Sequence, residues 1–157
     1  MDTLQIVRLT HIVSASILFG TGIGIAFFML KAHLSGNKGA MAVTTSNVVL
    51  ADWIFTAPAV IVQATTGLWL TAKLSIPFNS LWFILVVALF VLVGLCWIPV
   101  VRIQIRIRNI IANGGELEQY QGLMRVWVSL GIPAFLGVLV LYFLMVSKMG
   151  MDIYVFT

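Results

Sequence analysis

Four long apolar runs dominate the chain, from about Ile6 to Leu30, Val48 to Leu74, Leu81 to Val101 and Val126 to Met149. Each is long enough to cross a hydrocarbon core of about 30 Å at about 1.5 Å of rise per residue. A backbone exposed to lipid finds no water, so a spanning segment must satisfy its own hydrogen bonds. These runs lack the apolar/polar alternation of a barrel strand and must therefore be helices. The expected fold is all-α, a polytopic membrane protein built as an antiparallel four-transmembrane-helix bundle, because short connections make successive helices neighbours. Four spans use nearly all of the 157 residues, so the chain reads as a single membrane domain over residues 1–157. Composition agrees, with 61% hydrophobic and 9% charged residues, against roughly 25% charged in a soluble domain.

The formal net charge of +4 does not point to nucleic acid, because the basic residues flank apolar runs instead of forming a patch with interleaved aromatics. Their distribution speaks to orientation. The first and third connections carry Lys31, Lys38, Arg102, Arg106, Arg108 and Arg125, and the opposite face has Arg8, Lys73 and Lys148. The positive-inside rule then places those two connections in the cytoplasm and both termini outside, in the cell's inner (cytoplasmic) membrane. Between the spans lie SGNKGAMAVTTSN and SIPFNS, read as loops, and RIQIRIRNIIANGGELEQYQGLMR, whose arginines extend the third helix out of the bilayer before NGG turns the chain. The first run is too long for a signal peptide and reads as a retained span. A single cysteine, Cys96, rules out an intrachain disulfide.

Two histidines bracket the first span in LTHIVSASILFGTGIGIAFFMLKAHL. They stand 22 residues apart, roughly 33 Å of helix, so they cannot share one metal or one haem. His33 lies at the inner end, where a polar tip reaches the interface. His11 lies about two turns inside the outer end, and an ionisable group within a span marks a functional site by default. Ser14, Ala15, Leu18, Gly22 and Ile25 share its helical stripe, which is mostly small. At its depth an antiparallel bundle brings in Thr66, Trp69, Trp82, Tyr142, Met145 and Met149. Imidazole and thioether are both haem ligands, so His11 with Met145 or Met149 can hold an iron, with Tyr142 beside it and Arg8 and Lys148 placed for propionates. Asp52, opening the second span, reads as a favourable charge at a helix N-terminus. Gln63 and Thr66 read as interhelical hydrogen-bonding groups.

The spans resemble a known family. LTHIVSASILFGTGIGIAFFMLKAH resembles the first helix of HemJ-type protoporphyrinogen oxidases, and APAVIVQATTGLWLTAKL resembles their second, with its Pro-Ala start and Gly-Leu-Trp-Leu finish. SLWFILVVALFVLVGLCW and GIPAFLGVLVLYFLMV are similar to the third and fourth. The architecture is shared by a wider superfamily that includes CopD-like copper-resistance proteins and an uncharacterised family of predicted integral membrane proteins, and the chain is identified as a member of the last. The resemblance implies haem b ligated by the first-helix histidine, here His11. The HemJ pattern also has a His and a Lys at the start of the third helix, where this chain has Ile84 and Val86, so the resemblance does not carry protoporphyrinogen oxidation with it.

Three functions follow as expectations. The first is a haem-b-binding membrane protein with a redox or haem-related role near the outer face. The second is a CopD-like copper-handling protein, in which His11 and the methionines hold Cu(I), a soft ion suited to thioether. The third is a cofactor-free accessory subunit. A homo-oligomer or a membrane redox partner fits any of them.

Overall fold

The computed structural model describes residues 1–114 and 117–147. It contains four long, apolar helical rods, as the four runs require. The first, α1 (Thr3–Ser35), opens with a reciprocal cap in which the Asp2 side chain accepts from the Gln5 backbone and the Gln5 side chain accepts from the Asp2 backbone. It closes on Gly36, whose φ of +64° is the left-handed conformation favoured in glycine. Asn37 follows at once as the N-cap of the next helix, accepting from the Ala40 N–H at 3.1 Å. The reversal is therefore two residues long.

This corrects the sequence reading of SGNKGAMAVTTSN as a loop. Residues Lys38–Ala51 form a helix, α2, which runs through a π-helical turn at Asp52–Thr56 into α3 (Ala57–Lys73). The three pieces make one continuous rod of 36 residues, about 54 Å long. Its hidden stripe is helical, with Met41, Thr45, Val48 and Val49 buried. The polar Thr45 is tolerated because its hydroxyl donates to the Met41 carbonyl at 2.8 Å. The π turn has a cause in the sequence. Pro58 has no N–H for the carbonyl four residues back, and its ring crowds that carbonyl, so the turn before it widens to i→i+5 bonding, with the Ala57 N–H on the Asp52 carbonyl.

The third rod, α4 (Leu81–Ala112), is capped by Ser80 and runs past the apolar stretch through Arg102, Arg106 and Arg108, as expected. The fourth, α5 (Leu117–Ser147), begins well before Val126, so Arg125 lies inside the helix and not at its start. Pro99 and Pro133 sit within α4 and α5.

Packing is uneven along the bundle. α4 lies along α5, α1 lies along α3, and α2 joins the two pairs by packing on both α1 and α4. α1 meets α5 only slightly, at Phe19, which stacks on Phe135 at 5.5 Å and meets Tyr142 at 5.4 Å, and at its far end, where His33 meets Tyr120. The contiguous buried core accordingly gathers at the α2 end, around Met29, Met41, Val48, Ile107, Met124 and Trp127. Most large apolar side chains point outward, Ile12, Ile61, Leu95 and Phe143 among them. Such a surface suits lipid and not water. The molecule is an integral, multi-pass membrane protein in contact with the bilayer.

Candidate functional site

His11 faces α3. Its Nδ1 lies 2.8 Å from Thr66 Oγ1, and its Nε2 lies 3.0 Å from the Gln63 side-chain nitrogen. Gln63 Nε2 can only donate, so His11 Nε2 must accept, which puts the ring proton on Nδ1. That N–H donates to Thr66 Oγ1, and the Thr66 hydroxyl donates in turn to the Val62 carbonyl. Ser14, one turn along α1, lies within hydrogen-bond distance of both the Gln63 side-chain oxygen and the His11 carbonyl, the latter at 2.9 Å. Four side chains from two helices thus form a closed set around a neutral imidazole.

Gly67 completes the site. A Cβ built there would stand 3.2 Å from His11 Cε1, so the ring rests against the bare α3 backbone. The GLW signature at Gly67–Trp69 therefore has a local reason at its first residue. The expectation that Thr66 shares the layer of His11 is met, as is the reading of Gln63 and Thr66 as interhelical hydrogen-bonding groups. A groove of about 410 Å³ runs nearby between α1 and the joint of α2 with α3, past Val13, Ile17, Phe55 and Pro58. Its lining includes Ser14 but not the imidazole.

None of the other described residues singled out for a cofactor is hydrogen-bonded into this cluster. Tyr142 lies against Phe19, with its hydroxyl beside Ser16, so it meets α1 five to eight residues deeper than His11. Met145 is half-buried in the last described turn of α5, and Arg8 is exposed one turn before His11. Lys148 and Met149 lie outside the described residues. Trp82 is taken up by the α4–α5 pair, where its indole N–H donates to the Leu144 carbonyl at 2.7 Å. His33, read as structural, has a partner on another helix. Its Nδ1 lies 3.0 Å from the Tyr120 hydroxyl, tying the end of α1 to the start of α5.

A second polar cluster escaped the sequence reading. Asp52 does not open a helix, because α2 runs into it, and the helix-terminus account of its charge is withdrawn. The residue is 3% exposed. The Trp97 indole on α4 donates to Oδ1 at 3.2 Å. The amide of Gln104, also on α4, satisfies both its neighbours in one orientation, with Nε2 donating to Asp52 Oδ2 and Oε1 accepting from Trp127 of α5 at 3.2 Å. The available signal was Asp52 itself, a lone carboxylate in apolar surroundings that needs a partner when buried. Among the described residues no group of three or more His, Cys, Asp and Glu side chains is placed to hold a metal ion.

Comparison with curated proteins and with solved structures returns no match. Residues 5–149 match the family described as predicted integral membrane protein (DUF2269), and the chain, four spans and connections together, belongs to that family.

Proposed function

We propose that this protein binds haem b through His11 and serves a redox or haem-related role at the end of the bundle where the termini lie, with the termini outside and the Arg-rich ends of the helices in the cytoplasm. The observation that carries the proposal is the tautomer. A histidine that ligates a metal characteristically donates its other ring N–H to a fixed acceptor, which orients the ring and raises its basicity. His11 does so through Thr66 to the Val62 carbonyl, leaving the Nε2 lone pair available to an electrophile once the Gln63 amide turns away. The resemblance of the first two spans to HemJ-type helices supports the same residue.

The donor set fits an axial ligand. Haem bound there would supply one-electron chemistry. The chain's own residues have separate tasks: Thr66 holds the ring proton, Gly67 admits the ring to the α3 backbone, and Gln63 occupies Nε2 in the ligand-free state. Arg8, one turn outward and exposed, is the described cation placed to meet a propionate.

The test is an absorption spectrum from about 380 to 600 nm on protein expressed with haem supply and purified in detergent. A Soret band that His11→Ala removes and Thr66→Val weakens is expected. No Soret band in the wild-type protein, or one indifferent to His11→Ala, overturns the proposal and leaves the cluster as a clasp between α1 and α3. Titration of the same preparation with Cu(I) separates haem from the copper-handling alternative.

A further inference from the structure

The Asp52 cluster lies apart from His11 and serves none of the roles above. Three features set it apart. First, the side chains of α4 that hydrogen-bond to the carboxyl are donors: the Trp97 indole on Oδ1 and the Gln104 amide on Oδ2, with Trp127 holding that amide from the far side. Second, among the described residues no ion pair reaches it, and Lys31 of α1 and Arg102 and Arg106 of α4 are exposed. Arg108 lies one turn beyond Gln104 on α4 but turns its guanidinium to Asn109, His33 of α1 is bound to Tyr120, and Arg125 of α5 is exposed. The other ionisable groups of the second rod, Lys38 and Lys73, are at its two ends. Third, Thr56, four residues on and at the same π turn, has a buried hydroxyl that faces the Asp52 carboxyl without closing a hydrogen bond to it or to another group.

An ionised carboxylate that is buried without a countercharge is costly even when hydrogen-bonded, whereas the neutral acid needs an acceptor for its O–H. The Gln104 amide cannot be that acceptor. Turning its oxygen toward Asp52 would set its NH₂ against the Trp127 N–H, donor against donor. The unpartnered hydroxyl of Thr56 can accept, and it can also donate to the ionised form. A groove of about 270 Å³ between α2 and α4, lined by Ser46, Val49, Trp53 and Arg108, approaches within one helical turn of Asp52. Arg108 is its charged lining residue.

We propose that Asp52 is a proton-binding site within the span. A proton delivered by water along the α2–α4 groove adds to a free lone pair of the carboxylate, forming the O–H bond that Thr56 Oγ1 accepts. On release the proton returns to water and the Thr56 hydroxyl turns to donate. The charge being switched sits at the joint of α2 and α3, the segment that ties the two helix pairs together.

The experiment is pH-stepped infrared difference spectroscopy on the haem-free, full-length chain in lipid vesicles, so its outcome does not depend on the His11 proposal. A protonated-carboxyl stretch that rises as pH falls is expected, absent from Asp52→Asn and shifted in frequency in Thr56→Val. A difference spectrum in which Asp52→Asn superimposes on wild type overturns the proposal, and so does an unshifted band in Thr56→Val. Should Asp52→Asn fail to insert, Thr56→Val, which removes only one hydroxyl, decides alone.

Discussion

Replacing Gln63 by methionine keeps the length of the side chain and removes both of its polar atoms. Two contacts between α1 and α3 disappear, from the amide nitrogen to His11 Nε2 and from Ser14 to the amide oxygen. Ser14 is not stranded, since the His11 carbonyl already takes its hydroxyl at 2.9 Å. His11 Nε2 loses its donor. Side-chain hydrogen bonds between membrane helices average about 0.6 kcal/mol each, so the pair is worth about 1.2 kcal/mol and, at the upper end near 1.7 each, about 3.4 kcal/mol. The lower figure corresponds to a folding equilibrium shifted roughly eightfold. Unfolding by sodium dodecyl sulfate in mixed micelles, followed by far-UV circular dichroism, measures it. A cycle with His11→Ala should return a coupling of about 0.6 kcal/mol for the His11–Gln63 contact alone. The same substitution makes a second, opposite prediction. A ligand at Nε2 has to displace the Gln63 N–H, and relief from that competition raises the affinity of such a ligand about threefold. Unchanged stability in Gln63→Met, within about 0.3 kcal/mol, would refute the closed hydrogen-bond set. Weaker ligand binding would refute Gln63 as the competitor.

Two further substitutions probe the frame around the sites. In Gly137→Ala the new Cβ would stand 2.7 Å from Val93 Cγ2 on α4. Valine has one favoured rotamer in a helix and cannot swing clear, so the α4–α5 pair must part slightly, at about 1–3 kcal/mol in the same micelle assay. Ile107 is 0% exposed, at the centre of the α2-end core, and Ile107→Ala should cost about 2–5 kcal/mol, whereas the same change at the lipid-facing Ile61 should cost under half of that.

The apolar runs alone made the rods legible, because span length and backbone satisfaction leave a membrane chain little choice. Gln63 and Thr66 were legible for a related reason: one turn apart on one apolar helix, they needed a partner on another, and His11 was the polar group at that depth. The α2 helix was not legible. Thr44, Thr45, Ser46 and Asn47 read as a loop when taken singly, although Met41, Thr45, Val48 and Val49 already carry the helical period and Asn37 the cap. Missing α2 moved the start of the second rod by ten residues, from Val48 to Lys38, and made Asp52 look like a helix terminus. The partners of Asp52 were beyond reach as well. Trp97, Gln104 and Trp127 come from two other helices, and which residues meet depends on the register between rods, set by where each begins and by the π turn before Pro58.

The two polar clusters hold different halves of the bundle. The Asp52 cluster ties α4 and α5 to the second rod where the core is continuous, whereas His11 ties α1 only to α3. Toward the Ser14 end, the α1–α3 pair is joined to the α4–α5 pair through Phe19, stacked on Phe135 with ring planes 15° apart and tilted against Tyr142 at 56°, with the Tyr142 hydroxyl beside Ser16. Lipid tails are as apolar as these rings, so their contact is held by packing and ring geometry and not by exclusion of water. Each aromatic pair contributes about 0.5–1.5 kcal/mol beyond area, giving about 1–3 kcal/mol for the two. A joint of that strength is shaken loose by one truncation. Phe19→Ala should therefore broaden the distance distribution between spin labels at Ile12 and Leu85, measured by pulsed electron resonance in lipid nanodiscs. Labels at Leu34 and Arg106, flanking the continuous core, should keep the wild-type distribution. An unchanged Ile12–Leu85 distribution would mean that other contacts fasten the pairs, and a broadened Leu34–Arg106 distribution would mean that the α2-end core does not stand without Phe19.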